Sequence, residues 1–125
     1  LNVQHLDVKN VQVKQSNWFD ELSAEKFDLI VSNPPYVAEH DAHLQKGDLR
    51  FEPLLALSSG DDGLACIKHI VTNAHKYLAD KAWILLEHGY DQATACKELL
   101  ADSGYRELCA HQDLAGIVRV SGGRL

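Results

Sequence analysis

Asn33-Pro34-Pro35-Tyr36 is the segment of this sequence whose residue types and order can do chemistry. Each proline fixes its own φ and drives the residue before it toward extended geometry, so the Asn33 side chain and the Pro34 carbonyl are held in a set relation. Two acceptors in a rigid frame can each take one hydrogen of an NH₂ group. The nitrogen of an amide or of a ring-bound amino group is a poor nucleophile because its lone pair is delocalised. Acceptors that hold both hydrogens out of plane turn that lone pair toward an electrophilic carbon and stabilise the positive charge that develops on nitrogen. Tyr36 supplies a flat face on which the planar group can pack. Asn33, Pro34 and Tyr36 are therefore the candidate catalytic residues, and Pro35 completes the substrate-binding fork. The chemistry calls for no metal.

The elements around this fork must position it. Phe27–Ser32, just before it, is a nearly continuous apolar run of strand length, as expected of a strand buried on both faces of a parallel sheet. The fork thus sits at the carboxyl end of a strand, where ligands gather in open α/β sheets. Alternation over Val11–Gln15 predicts an earlier short strand. Apolar residues at Leu64, Ile67, Ile70, Val71, Ala74, Tyr77 and Leu78 mark one helical face, with Asp61 or Asp62 placed to cap it. Ala82–Glu87 reads as a second buried strand. A helix follows with Ala93, Cys96, Leu99 and Leu100 on one face, capped by Asp91 and ended by Gly104. Tyr105–Ala110 and Ile117–Ser121 flank a short loop and predict an antiparallel hairpin. This order is that of an α/β fold.

Composition narrows the function classes. The 125 residues are 46% hydrophobic and 24% charged, as in a folded single domain. A net charge of −6 disfavours direct nucleic-acid binding, which needs a surplus of Lys and Arg. Neither a spanning apolar segment nor a signal pattern is present in the sequence, so a cytoplasmic protein without membrane contact is expected. Cys66, Cys96 and Cys109 form no C-x-x-C pair and are expected as free, mostly buried thiols. Glu39, His40, Asp41 and His43 crowd four potential ligands together, but a polar run after a Pro-Pro segment reads as a solvated helix start rather than a metal site.

The run Phe27 to Tyr36 resembles motif IV of the class I N-methyltransferases, which modify adenine, guanine or glutamine nitrogens. Three further stretches narrow the resemblance: Gly47-Asp48-Leu49-Arg50-Phe51-Glu52-Pro53-Leu54, then Ala56-Leu57, Gly60 and Asp62-Gly63-Leu64, and later Leu86-Glu87-His88-Gly89. Together they resemble the protein-(glutamine-N5) methyltransferases that act on the Gly-Gly-Gln motif of class-1 peptide chain release factors. The resemblance implies S-adenosylmethionine as methyl donor and those release factors as partners. It implies substrate contacts by Asn33, Pro34, Pro35 and Tyr36, with Arg50, Phe51, Glu52 and Pro53 fixing a loop or positioning substrate. It implies donor contacts by Trp18, by Asn33, and by Asn17, where relatives often carry an acidic residue. Glu87 is expected to cap the following helix rather than to contact a ligand.

The Gly-rich strand-to-helix turn of that family has no counterpart in the 125 residues. The chain is thus expected to be the carboxy-terminal part of a class I domain: a partial Rossmann-like sheet lacking its first two strands, with helices on both faces and a terminal hairpin. Alone it is expected to be inactive, and to cover its open sheet edge by bringing Val11–Gln15 beside Phe27–Ser32 or by self-association. A base N-methyltransferase or a non-catalytic binding module is the alternative function.

Overall fold

The computed structural model describes residues 8–36 and 63–125. The elements in chain order are β1 (Phe27–Ser32), α1 (Ala65–Ala74), β2 (Leu78–Glu87), α2 (Ala93–Asp102), β3 (Arg106–Gln112) and β4 (Val118–Arg124). They build a four-stranded sheet in the order β1-β2-β4-β3. β1 runs parallel to β2, whereas β4 is antiparallel to both β2 and β3. This is the α/β architecture expected, with the parallel pair at one side and the hairpin at the other.

Ala82, Ile84 and Leu86 point from β2 into the core, where they meet Ile67, Ile70, Val71 and Ala74 of α1 and Cys96 and Leu100 of α2. The period-two strand pattern and the period-3.6 helix patterns therefore converge on one face. Both described helices lie on it. The opposite face, expected to carry helices as well, is uncovered among the described residues: Leu29 and Val31 of β1 are 49% and 68% exposed. Trp83, Leu85, Cys109 and His111 continue this face across the sheet and, with Leu29, line a cavity of about 460 Å³.

Residues 11–15 form no strand; Val11 and Val13 lie in exposed irregular chain. Alternation becomes a strand only where the backbone pairs, and these residues do not pair with β1, which remains an edge of the described sheet. Bringing this segment beside β1 is thus not how the edge is covered. Helix α1 also stops earlier than its apolar stripe implies. The N–H groups of Lys76 and Tyr77 bond to Asn73 and Ala74 in tight turns, and Leu78 becomes the first residue of β2, opposite Phe27. Lys81, at φ 61°, takes up the irregularity before regular pairing starts at Leu29 and Trp83.

Helix α2 ends as Gly104 predicts. Gly104, at φ 87°, donates to the Ala101 carbonyl and Tyr105 donates to the Leu100 carbonyl, the paired bonds of a left-handed glycine cap. Its start differs from expectation: Gln92, not Asp91, occupies the N-cap position, and its side chain makes no cap bond. The Asp61 or Asp62 cap of α1 lies outside the described residues. Strand β4 runs on through Gly122 and Gly123, which the sequence left out of the strand. A Cβ on Gly122 would strike the Ile84 carbonyl and approach Leu85 Cδ2 to 2.5 Å, so the close approach of β4 to β2 requires glycine. The Asp113 carboxylate closes the hairpin loop, accepting from the N–H groups of Ala115 and Ile117 and from Arg119 Nε. All three cysteines are free, but only Cys96 is buried; Cys66 and Cys109 are half-exposed.

Candidate functional site

Parallel pairing sets Ser32 opposite Leu86, so the segment leaving β1 and the segment leaving β2 emerge side by side. The first is Asn33-Pro34-Pro35-Tyr36; the second is Glu87-His88-Gly89, which leads into α2. Asn33 is exposed at the strand end, Pro34 is buried, and Pro35 and Tyr36 are half-buried. The fork therefore has its proline base in the protein and its amide in solvent, as a ligand-facing acceptor must.

Tyr36 is held at both ends by the second segment. Its hydroxyl donates to Glu87 Oε1 at 3.3 Å, and its carbonyl accepts from Gln92 Nε2 at 2.9 Å. Burial, then the Glu87 carboxylate, holds the Tyr36 phenol above its ordinary pKa, with Arg119 opposing. The phenol thus stays protonated and keeps donating. Glu87 is accordingly a partner of Tyr36, and the expectation that it caps α2 is corrected, since the N-cap position belongs to Gln92.

The turn itself is fixed from below. His88 is fully buried, its Nδ1 2.9 Å from the Gly89 carbonyl and its Nε2 2.9 Å from Ser121 Oγ. A carbonyl only accepts, so Nδ1 carries a hydrogen. The ring thereby ties the β2 turn to β4. Gln92 Oε1 accepts from the Gly89 N–H at 2.8 Å, closing the turn on itself. The sequence reading missed Gln92 and His88. His88 carried a signal, as a histidine within a strand-terminal run, but Gln92 had none beyond its place at a helix start.

The predicted donor-side residues stand apart from these contacts. Asn17 donates through Nδ2 to Asp20 Oδ2 at 3.2 Å. Trp18 has φ 53°, a region bulky residues seldom adopt, and is 37% exposed. Its ring centroid lies 5.8 Å from that of His69 on α1. Backbone strain at such a residue is a feature of functional sites. Arg50, Phe51, Glu52 and Pro53 lie outside the described residues, as do Glu39, His40, Asp41 and His43. Among the described residues no three His, Cys, Asp or Glu side chains gather as a metal site, and no helix is long and apolar enough to cross a membrane.

The sequence is similar to known proteins across this whole arrangement. A family model described as methyltransferase small domain matches residues 1–49. The release factor glutamine methyltransferase of Vibrio cholerae is 48% identical over 124 residues, which cover 98% of this chain and 43% of that protein. That of Pseudomonas aeruginosa is 46% identical, covering 98% of this chain and 45% of that protein. Among solved structures, the release factor-specific protein-(glutamine-N5) methyltransferase of Alicyclobacillus acidocaldarius superposes with a TM-score of 0.51 at 27% identity, covering 79% of this chain and 48% of that one. The chain thus spans a little under half the length of these relatives. Its mixed sheet and two helices form a partial class I methyltransferase fold, and along almost all of its own length its sequence is similar to release factor glutamine methyltransferases.

Proposed function

We propose that the intact protein carrying this chain transfers a methyl group from S-adenosylmethionine to the side-chain amide nitrogen of the glutamine in the Gly-Gly-Gln motif of class-1 peptide chain release factors, in the cytoplasm. The observation that carries the reading is the acceptor fork at the end of β1, gripped through Tyr36 by the turn after β2, in a sequence 48% identical to a release factor glutamine methyltransferase.

Asn33 Oδ1 and the Pro34 carbonyl each accept one hydrogen of the glutamine NH₂, and Tyr36 packs beside the amide plane. Held so, the nitrogen lone pair is turned out of conjugation and toward the methyl. The donor, when bound, supplies an electrophilic methyl on a sulfonium that leaves as a neutral thioether. Asn17, Trp18 and Asn33 would hold its adenosine and methyl ends. As the N–C bond forms and the S–C bond breaks, nitrogen becomes positive, and the same two acceptors stabilise that charge before one hydrogen is lost to solvent. Arg50, Phe51, Glu52 and Pro53 would orient the release factor. Direct nucleic-acid contact has no part in the reading, in keeping with the charge of −6.

Labelled S-adenosylmethionine tests it. The intact protein should label a release factor, and label found only on nucleic acid would contradict the reading. The 125-residue chain alone should transfer nothing and should self-associate, because among the described residues β1 is a sheet edge beside an exposed apolar face. A strictly monomeric chain in sedimentation would remove the second expectation.

A further inference from the structure

Gln92 ends in one acceptor and one donor, and each engages a different loop. Oε1 takes the Gly89 N–H at 2.8 Å, and Nε2 donates to the Tyr36 carbonyl at 2.9 Å. The side chain is only 8% exposed, so these bonds form away from competing water. Its backbone is equally fixed: the Gln92 carbonyl accepts the first bond of α2 from Cys96, which is itself in the core. Gly63 closes the third side. At φ 71° it passes against the Tyr36 carbonyl, and a Cβ added there would strike that oxygen and lie 2.6 Å from Gln92 Nε2.

From this we infer that Gln92 is a positioning residue for methyl transfer: its amide fixes the Tyr36 carbonyl and thereby sets the acceptor fork two residues away. The inference rests on the proposed function. Gln92 acts through Tyr36 and touches no reacting atom. The link is stiff because Pro34 and Pro35 cannot change φ, so a shift at the Tyr36 carbonyl is passed to the Pro34 carbonyl and to Asn33 rather than absorbed. A misplacement of about 1 Å at such distance from the chemistry lowers a rate by on the order of 10²-fold.

Gln92→Glu in the intact protein is the test, with Gln92→Ala beside it. Glutamate keeps the size and still accepts from Gly89, but its ionised form has no hydrogen for the Tyr36 carbonyl and repels it. Its protonated form restores both bonds. At alkaline pH, Gln92→Glu should lower kcat for release factor about 10-fold or more, with donor affinity and KM changed less than about 2-fold. The ratio of its kcat to that of the unsubstituted protein should climb toward one as pH falls and the new carboxyl protonates. Tyr36, Glu87, His88, Tyr90, Asp91 and Arg119, the other titratable or charged groups around this turn among the described residues, are common to both proteins, so their own titration enters both sides of the ratio. Gln92→Ala should show the loss without the recovery. Should the alanine variant fail to fold, the pH course of the glutamate variant decides alone. Unchanged kcat in the glutamate variant, or a reduced ratio flat with pH, would overturn the inference. No transfer to release factor by the unsubstituted protein would overturn the functional reading and this inference with it, an outcome seen before any substitution is made.

Discussion

The loop after β1, proposed to hold the methyl acceptor, and the turn at Asn17 and Trp18, proposed to hold the donor, are built in opposite ways. Tyr36 is bound by residues 51 and 56 positions away in sequence, through its hydroxyl and its carbonyl respectively. The Asn17–Trp18 turn is held by its neighbours: Asp20 takes Asn17 Nδ2, Ser16 Oγ takes the Glu21 N–H, and the Phe19 carbonyl takes the Leu22 N–H. Among the described residues, the packing of Phe19 on the core, with its ring stacked on Tyr77 at 4.9 Å, and the ring contact of Trp18 with His69 tie it to the rest. The difference teaches where precision resides. The fork is preorganised by long-range bonds, so its geometry is part of the fold, whereas the donor-side turn is a local structure laid on the surface.

If that contrast is right, substitutions at the two places should act on different kinetic constants. The largest effect is expected for Asn33→Ala, which removes one acceptor used chiefly in the transition state. It should lower kcat of the intact protein by about 10²-fold or more with little change in donor affinity. Steady-state kinetics on a release factor, with circular dichroism to verify folding, measures it, and an unchanged kcat would take Asn33 out of the reaction. Trp18→Ala should do the reverse, weakening donor binding about 10-fold, as loss of a base-stacking face does, while kcat at saturating donor stays near its original value. Calorimetric titration separates the two.

Smaller effects probe the scaffold. Gly63→Ala sets a Cβ at φ 71° against the Tyr36 carbonyl, and a loss of about 1–2 kcal/mol in urea unfolding is expected. A variant as stable as the original would show that this junction yields. Alkaline pH reports on the core. Burial pushes the Tyr105 phenol up to about 12 and the Cys96 thiol up to about 11. Both groups bind their protons more tightly folded than unfolded. Their contribution is therefore complete below the ordinary thiol and phenol pKa values of 9.0 and 10.0 and is lost as pH rises through about 11 and about 12. Tyr105→Phe removes the hydroxyl bond to the Val71 carbonyl at a cost of about 1 kcal/mol at neutral pH. It should also flatten the upper part of the alkaline loss. An equally steep fall in the variant would assign that loss to other groups.

Where sequence and structure agree, the signal was a repeating apolar pattern with a buried counterpart. The stripe Ile67, Ile70, Val71 and Ala74 faces the core, the Ala82–Glu87 run is a strand with one face buried against the same core, and Gly104 ended α2 because its left-handed φ completes the cap. Where they differ, the deciding partner was distant. Val11–Gln15 alternates but pairs with no strand among the described residues, and Leu78 left the helical stripe because Phe27 offered it a sheet position. Gly122 and Gly123 extend β4 where a Cβ would strike β2 at the first and Leu108 and Tyr105 at the second, a pair that composition alone reads as a strand end. The place of Asn33-Pro34-Pro35-Tyr36 directly after β1 was legible, since prolines end a strand by their own constraint. Its anchor was not: nothing local to Gln92 says that Tyr36 lies within hydrogen-bond reach.

The central claim is that the fork after β1 presents a glutamine amide of a release factor for methylation. Mass spectrometry of a class-1 release factor incubated with the intact protein and S-adenosylmethionine tests it most directly. The account predicts a gain of one methyl group, about 14 Da, located by fragmentation on the side-chain nitrogen of the Gly-Gly-Gln glutamine, and its loss with Asn33→Ala. A release factor left unmodified by the folded, donor-binding protein, or a methyl group on any other residue, would contradict it.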